Sequence, residues 1–186
     1  MSNFQEISCR EIVKFIKNGT TATQVSKKTS KAVTRIETIS DEIIDHNKLG
    51  YVADQEDIER YQLNEGDILF SHINSINHIG KTALVTKEDE LFNGMNLLQI
   101  RPNKEITDSK FLHELFKSET IRRVVRRCAK QAVNQASISI GQLQEISLSL
   151  PPLSEQKKIV EIISGMVQII NSLKQHRKTQ SLLLRD

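Results

Sequence analysis

The sequence predicts an α+β fold: a mixed β-sheet body over residues 1–150, followed by a helical arm over residues 151–186. Three observations lead there. Short apolar runs of strand type sit at 68–70, 82–85 and 97–100. Apolar residues recur at helical spacing from Phe111 to Cys128. After Pro151-Pro152 the pattern becomes a long apolar stripe at steps of four and three, which wants a partner helix.

Taken in order, Ile7 to Ile16 is a short apolar-periodic element ended by Asn18-Gly19, and Thr20 to Ser30 is a loop rich in Thr, Ser and Lys. Ala32 to Ile39 carries Val33, Ile36 and Ile39 in loose alternation, which predicts a strand. Gly50 closes the next turn, and Asp54 to Tyr61 is a short helix candidate. Asn64-Glu65-Gly66-Asp67 is a turn signal ahead of the buried-strand run Ile68-Leu69-Phe70. Ser71 to Gly80 is polar and turn-like. Thr82 to Val85 and Leu97 to Ile100 are further strands, separated by an acidic turn and Asn93-Gly94. Asp108 and Ser109 are N-cap candidates for a helix carrying Phe111, Leu112, Leu115, Phe116, Ile121, Val125 and Cys128, either continuous or broken near Ser118. Gln131 to Gly141 is a loop. Ile146 to Leu150 is a last strand, stopped by the two prolines.

The arm starts at Ser154-Glu155-Gln156-Lys157, a cap followed by a charged first turn. Ile159, Ile163, Met166, Ile170 and Leu173 form its seam, widened by Val160, Ile162, Val167 and Ile169. The same steps continue to Arg177, Gln180 and Leu184. A helix from Ser154 to Arg185 spans on the order of 48 Å at about 1.5 Å per residue, longer than a small body needs.

Composition narrows the function. With 186 residues, 26% of them charged and 4% aromatic, the chain can build a real core and is not disordered in composition. It has no apolar run of about 18 residues and its N-terminus lacks an apolar signal core, so a cytoplasmic protein without a membrane partner is expected. Cys9 and Cys128 are then expected to be reduced. The net charge of +3 is mild but polarised. Lys117, Arg122, Arg123, Arg126, Arg127 and Lys130 face a single acid, Glu119, within their segment. Lys27, Lys28, Lys31 and Arg35 form a second basic group, while acids gather at Asp54 to Glu59 and Glu88 to Glu90.

Signals for catalysis are weak. There is no glycine-rich phosphate loop, and Leu150-Pro151-Pro152 lacks the polar and aromatic flanks of a base-modifying methyltransferase signature. Asp54/Glu56/Asp57 and Glu88/Asp89/Glu90 are the two acidic clusters a metal nuclease would need, but solvated loop charge is the better account of both. His72 and His78 lack accompanying ligands at metal spacing. No catalytic residue, metal or cofactor is expected.

Three segments suit nucleic acid. The helix around 121 to 130 can bury its apolar stripe and offer arginines to phosphates, or be a solvated basic face. Ser71, His72, Asn74, Ser75, Asn77 and His78 carry donors and acceptors that match base edges, or form a polar connection, with Lys81 just beyond. The loop from Thr20 to Lys31 offers hydroxyls and lysines for backbone contacts, or is a surface loop.

Several segments together resemble one family. Gly66-Asp67-Ile68-Leu69-Phe70-Ser71, followed by His78-Ile79-Gly80-Lys81-Thr82-Ala83-Leu84-Val85, resembles the core of type I restriction-modification specificity subunits. Val33 to Ile39 with Gly50-Tyr51-Val52 resembles another stretch of their target-recognition domains. Leu150-Pro151-Pro152-Leu153-Ser154-Glu155-Gln156-Lys157-Lys158-Ile159-Val160 resembles the start of the helix that follows each such domain, and Gln135 to Leu143 is a weaker match to their polar junction. The pieces occur in the family's order over nearly the whole chain.

The resemblance implies a non-catalytic reader of one half of a split DNA target. Family members carry two recognition domains, joined by helices that pack as an antiparallel coiled coil and dock methyltransferase subunits, with a motor-nuclease subunit as a further partner. This chain departs in having one recognition domain and one helix, as a natural half-subunit or a shortened one would. A homodimer through Ile159, Ile163, Met166, Ile170 and Leu173 would rebuild the two-domain reader and fit a symmetric, interrupted target. Two other readings stay open: a stand-alone DNA-binding repressor or anti-restriction factor, and a nuclease with a disguised metal site.

Overall fold

Ile68, Leu69 and Phe70 are fully buried, and the body is arranged around them. The computed structural model describes residues 4–183. The strands are β1 (Gln5–Ser8), β2 (Val13–Asn18), β3 (Lys31–Val33), β4 (Gly50–Val52), β5 (Ile68–Ser71), β6 (Ile73–Asn74), β7 (Thr82–Leu84) and β8 (Leu97–Pro102). Helices α1 (Ser109–Lys117) and α2 (Glu119–Cys128) follow, then β9 (Lys130–Ala132), β10 (Gln135–Ser137), α3 (Ile140–Gln144), β11 (Ser147–Leu150) and the arm α4 (Leu153–Leu183).

The central sheet has the order β2-β8-β5-β7 and is antiparallel throughout. Alternate side chains of β5 point to opposite faces, so Ile68 and Phe70 join one apolar cluster and Leu69 the other. The first cluster takes in Phe111, Leu112, Phe116, Ile121 and Val125 from α1 and α2. There Phe70 meets Phe116 edge to face, with ring centroids 5.7 Å apart. The second contains Ile39, Leu63, Ala83, Val85, Leu91 and Leu97. Burial on both faces explains why the strand runs read as continuous apolar stretches. The small sheets β1-β11, β3-β4 and β6-β10-β9 are antiparallel as well, and the parallel component of the expected mixed sheet is confined to two isolated bridges, Thr20 with Gly94 and Val33 with Phe92.

The two helices break where local chemistry says they should. Asp108 accepts from the Phe111 N–H at 3.0 Å, and Ser118 caps α2 while donating to the Leu115 carbonyl at 2.7 Å. Elsewhere the structure corrects the sequence. Ile7 to Ile16 is two strands joined by a 3-10 turn at Cys9–Ile12. The strand expected over Ala32 to Ile39 stops at Val33, because Thr38 accepts from the Arg35 N–H, donates to the Lys48 carbonyl, and bends the chain into a 3-10 turn. Only Glu59–Tyr61 of the expected helix at 54–61 is helical, and that only as a 3-10 turn. Asp54 instead accepts from the backbone and hydroxyl of Ser30. The expected loop at 131–141 is a β-hairpin followed by α3.

Pro151 is buried and the arm leaves the body beyond it. Its first turns still belong to the packing of the body: Gln156 is fully buried, and Ile159 and Val160 pack against the first cluster. Among the described residues, no helix is long and apolar enough to cross a membrane. Met1 to Asn3 and the seam's continuation at Leu184 and Arg185 lie outside the described residues.

Candidate nucleic-acid interface

Helix α2 holds Ile121 and Val125 in the core and turns its other side outward. Arg123, Arg127 and Lys130 are exposed. Arg126 is bonded to Glu119 two turns back on the same face, and Arg123 reaches the Glu119 carbonyl at 3.4 Å. Arg122 has a different role. Its guanidinium is partly buried and ion-paired with Glu42, and its Nε is buried without a partner among the described residues. The exposed positive charge is therefore concentrated on Arg123 and Arg127 of the helix and on Lys130 just beyond it. Among the described residues Arg126 is held by an exposed carboxylate that solvent screens and an anion can displace.

Arg123, Arg126 and Arg127 line an open groove of about 650 Å³ with Ile76, Ala129 and Gln131. The 71–80 loop meets α2 and the β9–β10 hairpin here, some forty residues further along the chain. The 71–80 loop is seated on α2 through Gly80, whose φ is +83° and whose added Cβ would stand 3.1 Å from Val125 Cγ1. Strand β6 of that loop pairs with β10, which pairs with β9.

Within the loop much of the polar chemistry is turned inward. Ser71 is buried and accepts from Asn74 Nδ2 at 3.1 Å, while Asn74 Oδ1 accepts from the Ser75 N–H at 2.8 Å. His72 is half-buried, and burial pushes its imidazole below the usual histidine range and toward the neutral form. The Ser75 carbonyl accepts from the N–H groups of His78 and Ile79, which closes the turn and leaves the Asn77 and His78 side chains exposed. Lys81 donates to the Ser40 carbonyl at 2.6 Å.

The N-terminal basic group does not line this groove. Lys31 is committed to the Glu56 carbonyl at 2.6 Å and Glu59 at 3.0 Å. Lys27 and Lys28 are exposed, and so is Arg35, whose nearest acid is Glu37 at 3.9 Å. The structure thus brings Arg123, Arg126, Arg127 and Lys130 together with the 71–78 loop and leaves Lys27, Lys28, Lys31 and Arg35 apart from them.

Sequence reasoning missed the β9–β10 hairpin. Lys130 to Ser137 lacks clean alternation, and only Asn134 hinted at a turn; it takes φ +63°, a conformation Asn tolerates better than most residues.

In the two acidic clusters Asp57, Glu88 and Glu90 are exposed, as solvated loop charge is, whereas Asp54 and Asp89 have structural bonds. Asp89 is buried rather than solvated, accepting from the Thr86 backbone and hydroxyl and lying 2.8 Å from His46 Nε2. Asp54 binds Ser30 as described above. Among the described residues, no group of three or more His, Cys, Asp or Glu side chains is arranged to hold a metal ion. Burial pushes the Cys9 thiol up to about 12, so it is no nucleophile.

On the arm, Met166, Ile170 and Leu173 are half or more exposed, as are Ile162 and Ile169, and Ile163 is intermediate. Ile159, expected in the same outward seam, instead packs against the body.

A family model described as the type I restriction modification DNA specificity domain matches residues 1–182. The chain is 47% identical over 167 residues to a protein of Methanocaldococcus jannaschii assigned as the type I restriction enzyme MjaX specificity subunit, covering 88% of this chain and 39% of that protein. It is 23% identical over 197 residues to the EcoKI specificity subunit of Escherichia coli, covering 99% of this chain and 42% of that one. The crystal structure of the HsdS subunit from Thermoanaerobacter tengcongensis shares the fold with a TM-score of 0.70 at 17% identity, over 94% of this chain and 44% of that one. The chain spans about two fifths of the length of the curated relatives it matches.

Proposed function

The chain belongs to the type I restriction modification DNA specificity family, and from that premise we propose that it reads DNA for a type I-like restriction-modification system and performs no chemistry itself. The observation that carries this reading is the groove in which the arginine face of α2 meets the 71–80 loop and the β9–β10 hairpin. Guanidinium groups at fixed spacing neutralise successive phosphates and set the register of the protein on the duplex. Polar side chains beside them are then within reach of base edges. Lys27, Lys28 and Arg35 are exposed, Arg35 in a loose pair with Glu37, and would extend the phosphate contacts away from the groove.

The arm supplies the second half of the reading. It contains 31 residues, about 46 Å at 1.5 Å per residue, with apolar side chains exposed along its outer part. Such a helix gains by pairing with another, and two copies related by a two-fold axis would lay their arms antiparallel. The two recognition bodies would then face two half-sites about one helical turn apart, near 34 Å, or a multiple of it. The paired arms also form the surface on which methyltransferase subunits, and through them a motor-nuclease subunit, would assemble.

Light scattering of the purified chain, alone and with a methyltransferase subunit of the same system, tests this together with duplex binding. A dimer that captures the methyltransferase and binds duplex is the expected result. A monomer that binds duplex but ignores the methyltransferase would point instead to a stand-alone DNA-binding factor.

A further inference from the structure

The side chains of the 71–78 loop that best match base edges are largely spent on the loop itself: Ser71 is buried, and Asn74 bonds Ser71 and the Ser75 backbone. The hairpin beside it has the opposite character. Its root is held firmly. Ala136 and Ile138 are buried in the main core, the Ile138 N–H donates to the His72 carbonyl at 3.0 Å, and β10 is paired on both edges. Its tip is free. Val133 is 91% exposed, Asn134 is exposed at the turn, and among the described residues nothing bonds the side chains of Gln131, Asn134 or Gln135. Val133 is then apolar surface that a partner can cover with a gain in free energy.

Two features say what covers it. The neighbouring groove wall is cationic, from Arg123, Arg126 and Arg127, so the occupant carries negative charge. A two-stranded β-ribbon is also one of the few protein elements that fit the major groove of duplex DNA. We propose that the β9–β10 hairpin is the base-reading element, with Val133 and Asn134 at its tip entering the major groove and Gln131 behind them, while the α2 arginines hold the flanking phosphates. This rests on the reading of the groove as a DNA site. The Asn134 and Gln131 amides can each pair with an adenine edge, and the Val133 methyls can pack against a thymine methyl. Cross-strand partners share a ribbon face, so Gln131, opposite Ala136, lies on the groove side, and Gln135, opposite Ala132, lies on the other.

The test is selection of bound duplexes from a randomised library by the full chain and by variants. Asn134→Gly keeps the positive φ that the turn needs and removes only the amide. Val133→Ser removes only exposed apolar surface. Both should fold as the parent does, checked by thermal melting. Asn134→Gly is expected to drop one base preference from the selected motif by roughly 5- to 150-fold in discrimination, and Val133→Ser to weaken a thymine preference, with affinity for mixed-sequence duplex changed less than about twofold in both. Gln135→Ala, the same chemistry on the opposite face, leaves the motif intact. A motif selected by the parent and unchanged in both tip variants overturns the hairpin assignment alone. A parent chain that neither selects a motif nor binds mixed duplex overturns the DNA reading and the hairpin with it.

Discussion

Gln156 Oε1 accepts the Asp108 N–H at 2.9 Å, joining the first turn of the arm to the first turn of α1. The same amide takes the Thr107 hydroxyl at 3.2 Å and donates to the Ile106 carbonyl at 3.1 Å and the Pro151 carbonyl at 2.9 Å. A fully buried primary amide has used its hydrogen-bonding groups on two stretches of chain, residues 106–108 and Pro151. The direction in which the arm leaves the body is therefore set by one side chain and not by the prolines alone. Gln156→Ala leaves these backbone groups buried and unpaired, so a loss of about 2–4 kcal/mol is expected in urea unfolding. Gln156→Glu should be nearly as harmful, because a carboxylate cannot donate to the two carbonyls.

The arginines of α2 should separate into two kinds. Arg123→Ala with Arg127→Ala removes two exposed charges from the groove, and the slope of log affinity against log salt should fall by about two, equally for all sequences. Adding Arg126→Ala should take a further share, since its partner among the described residues is the exposed Glu119. Arg122→Ala should leave the slope unchanged and lower the melting temperature, because it strands the partly buried Glu42. Salt titrations by fluorescence anisotropy distinguish the two. A slope that ignores Arg123 and Arg127 would remove the phosphate contacts from the reading.

How much of this was visible in the sequence depended on how local the determining chemistry is. Asp108 and Ser118 cap helices within three residues of themselves, so the helix start could be read directly and a break near Ser118 could be offered as one of two alternatives. The buried run Ile68-Leu69-Phe70 likewise announced a central strand. The hairpin could not be read, because Ala136 is made a strand residue by pairing with Asn74, more than sixty positions away. For the site, clustering of arginines on α2 was legible, but the capture of Arg122 by Glu42 and of Lys31 by Glu59 was not. Those pairs are made by the fold, and spacing along the chain carries no trace of them.

Three chain segments cross at Gly94 with no room for a side chain. A Cβ built there would stand 1.8 Å from the Thr34 carbonyl oxygen, and one on Gly19 would stand 1.9 Å from the Gly94 oxygen. The Gly94 N–H also donates to Thr34 Oγ1 at 3.0 Å, which fixes the approach. Backbone cannot retreat as a flexible side chain can, so Gly94→Ala should cost about 3 kcal/mol or more, read from the unfolding midpoint. Gly165→Ala is the contrast: its added methyl meets nothing within 4 Å on the arm, and it should raise stability by up to about 1 kcal/mol through helix propensity.

Burial holds His113 below its ordinary range, helped by the charge of Lys117, and burial does the same to His72. A histidine whose folded form resists protonation binds fewer protons folded than unfolded. Stability from these two groups is therefore complete above about pH 6.5 and is lost as the pH falls through their folded values. Thermal melting followed from about pH 7.5 down to about 5 should show a declining midpoint before carboxylates titrate, and His113→Gln should flatten that decline. A midpoint constant across the window would mean that water reaches both rings in solution.

The last expectation concerns the arm. Met166, Ile170 and Leu173 are half or more exposed in the single chain, with Ile163 on the same side, whereas Ile159 is already used by the body. If two arms pair, the energy comes from this outer stretch, and substitution at Ile159 would report on body packing instead. Ile163→Glu with Ile170→Glu places two charges in the seam, where each loses hydration with no partner to replace it. Sedimentation should then give a monomer whose body still melts cooperatively near the parent temperature. Glu161→Ala, at an exposed position on the same helix, should leave the assembly as it is. A dimer that survives the two charges would place the contact between copies somewhere other than the arm, and the spacing of half-sites would then follow from the bodies rather than from the length of the helix.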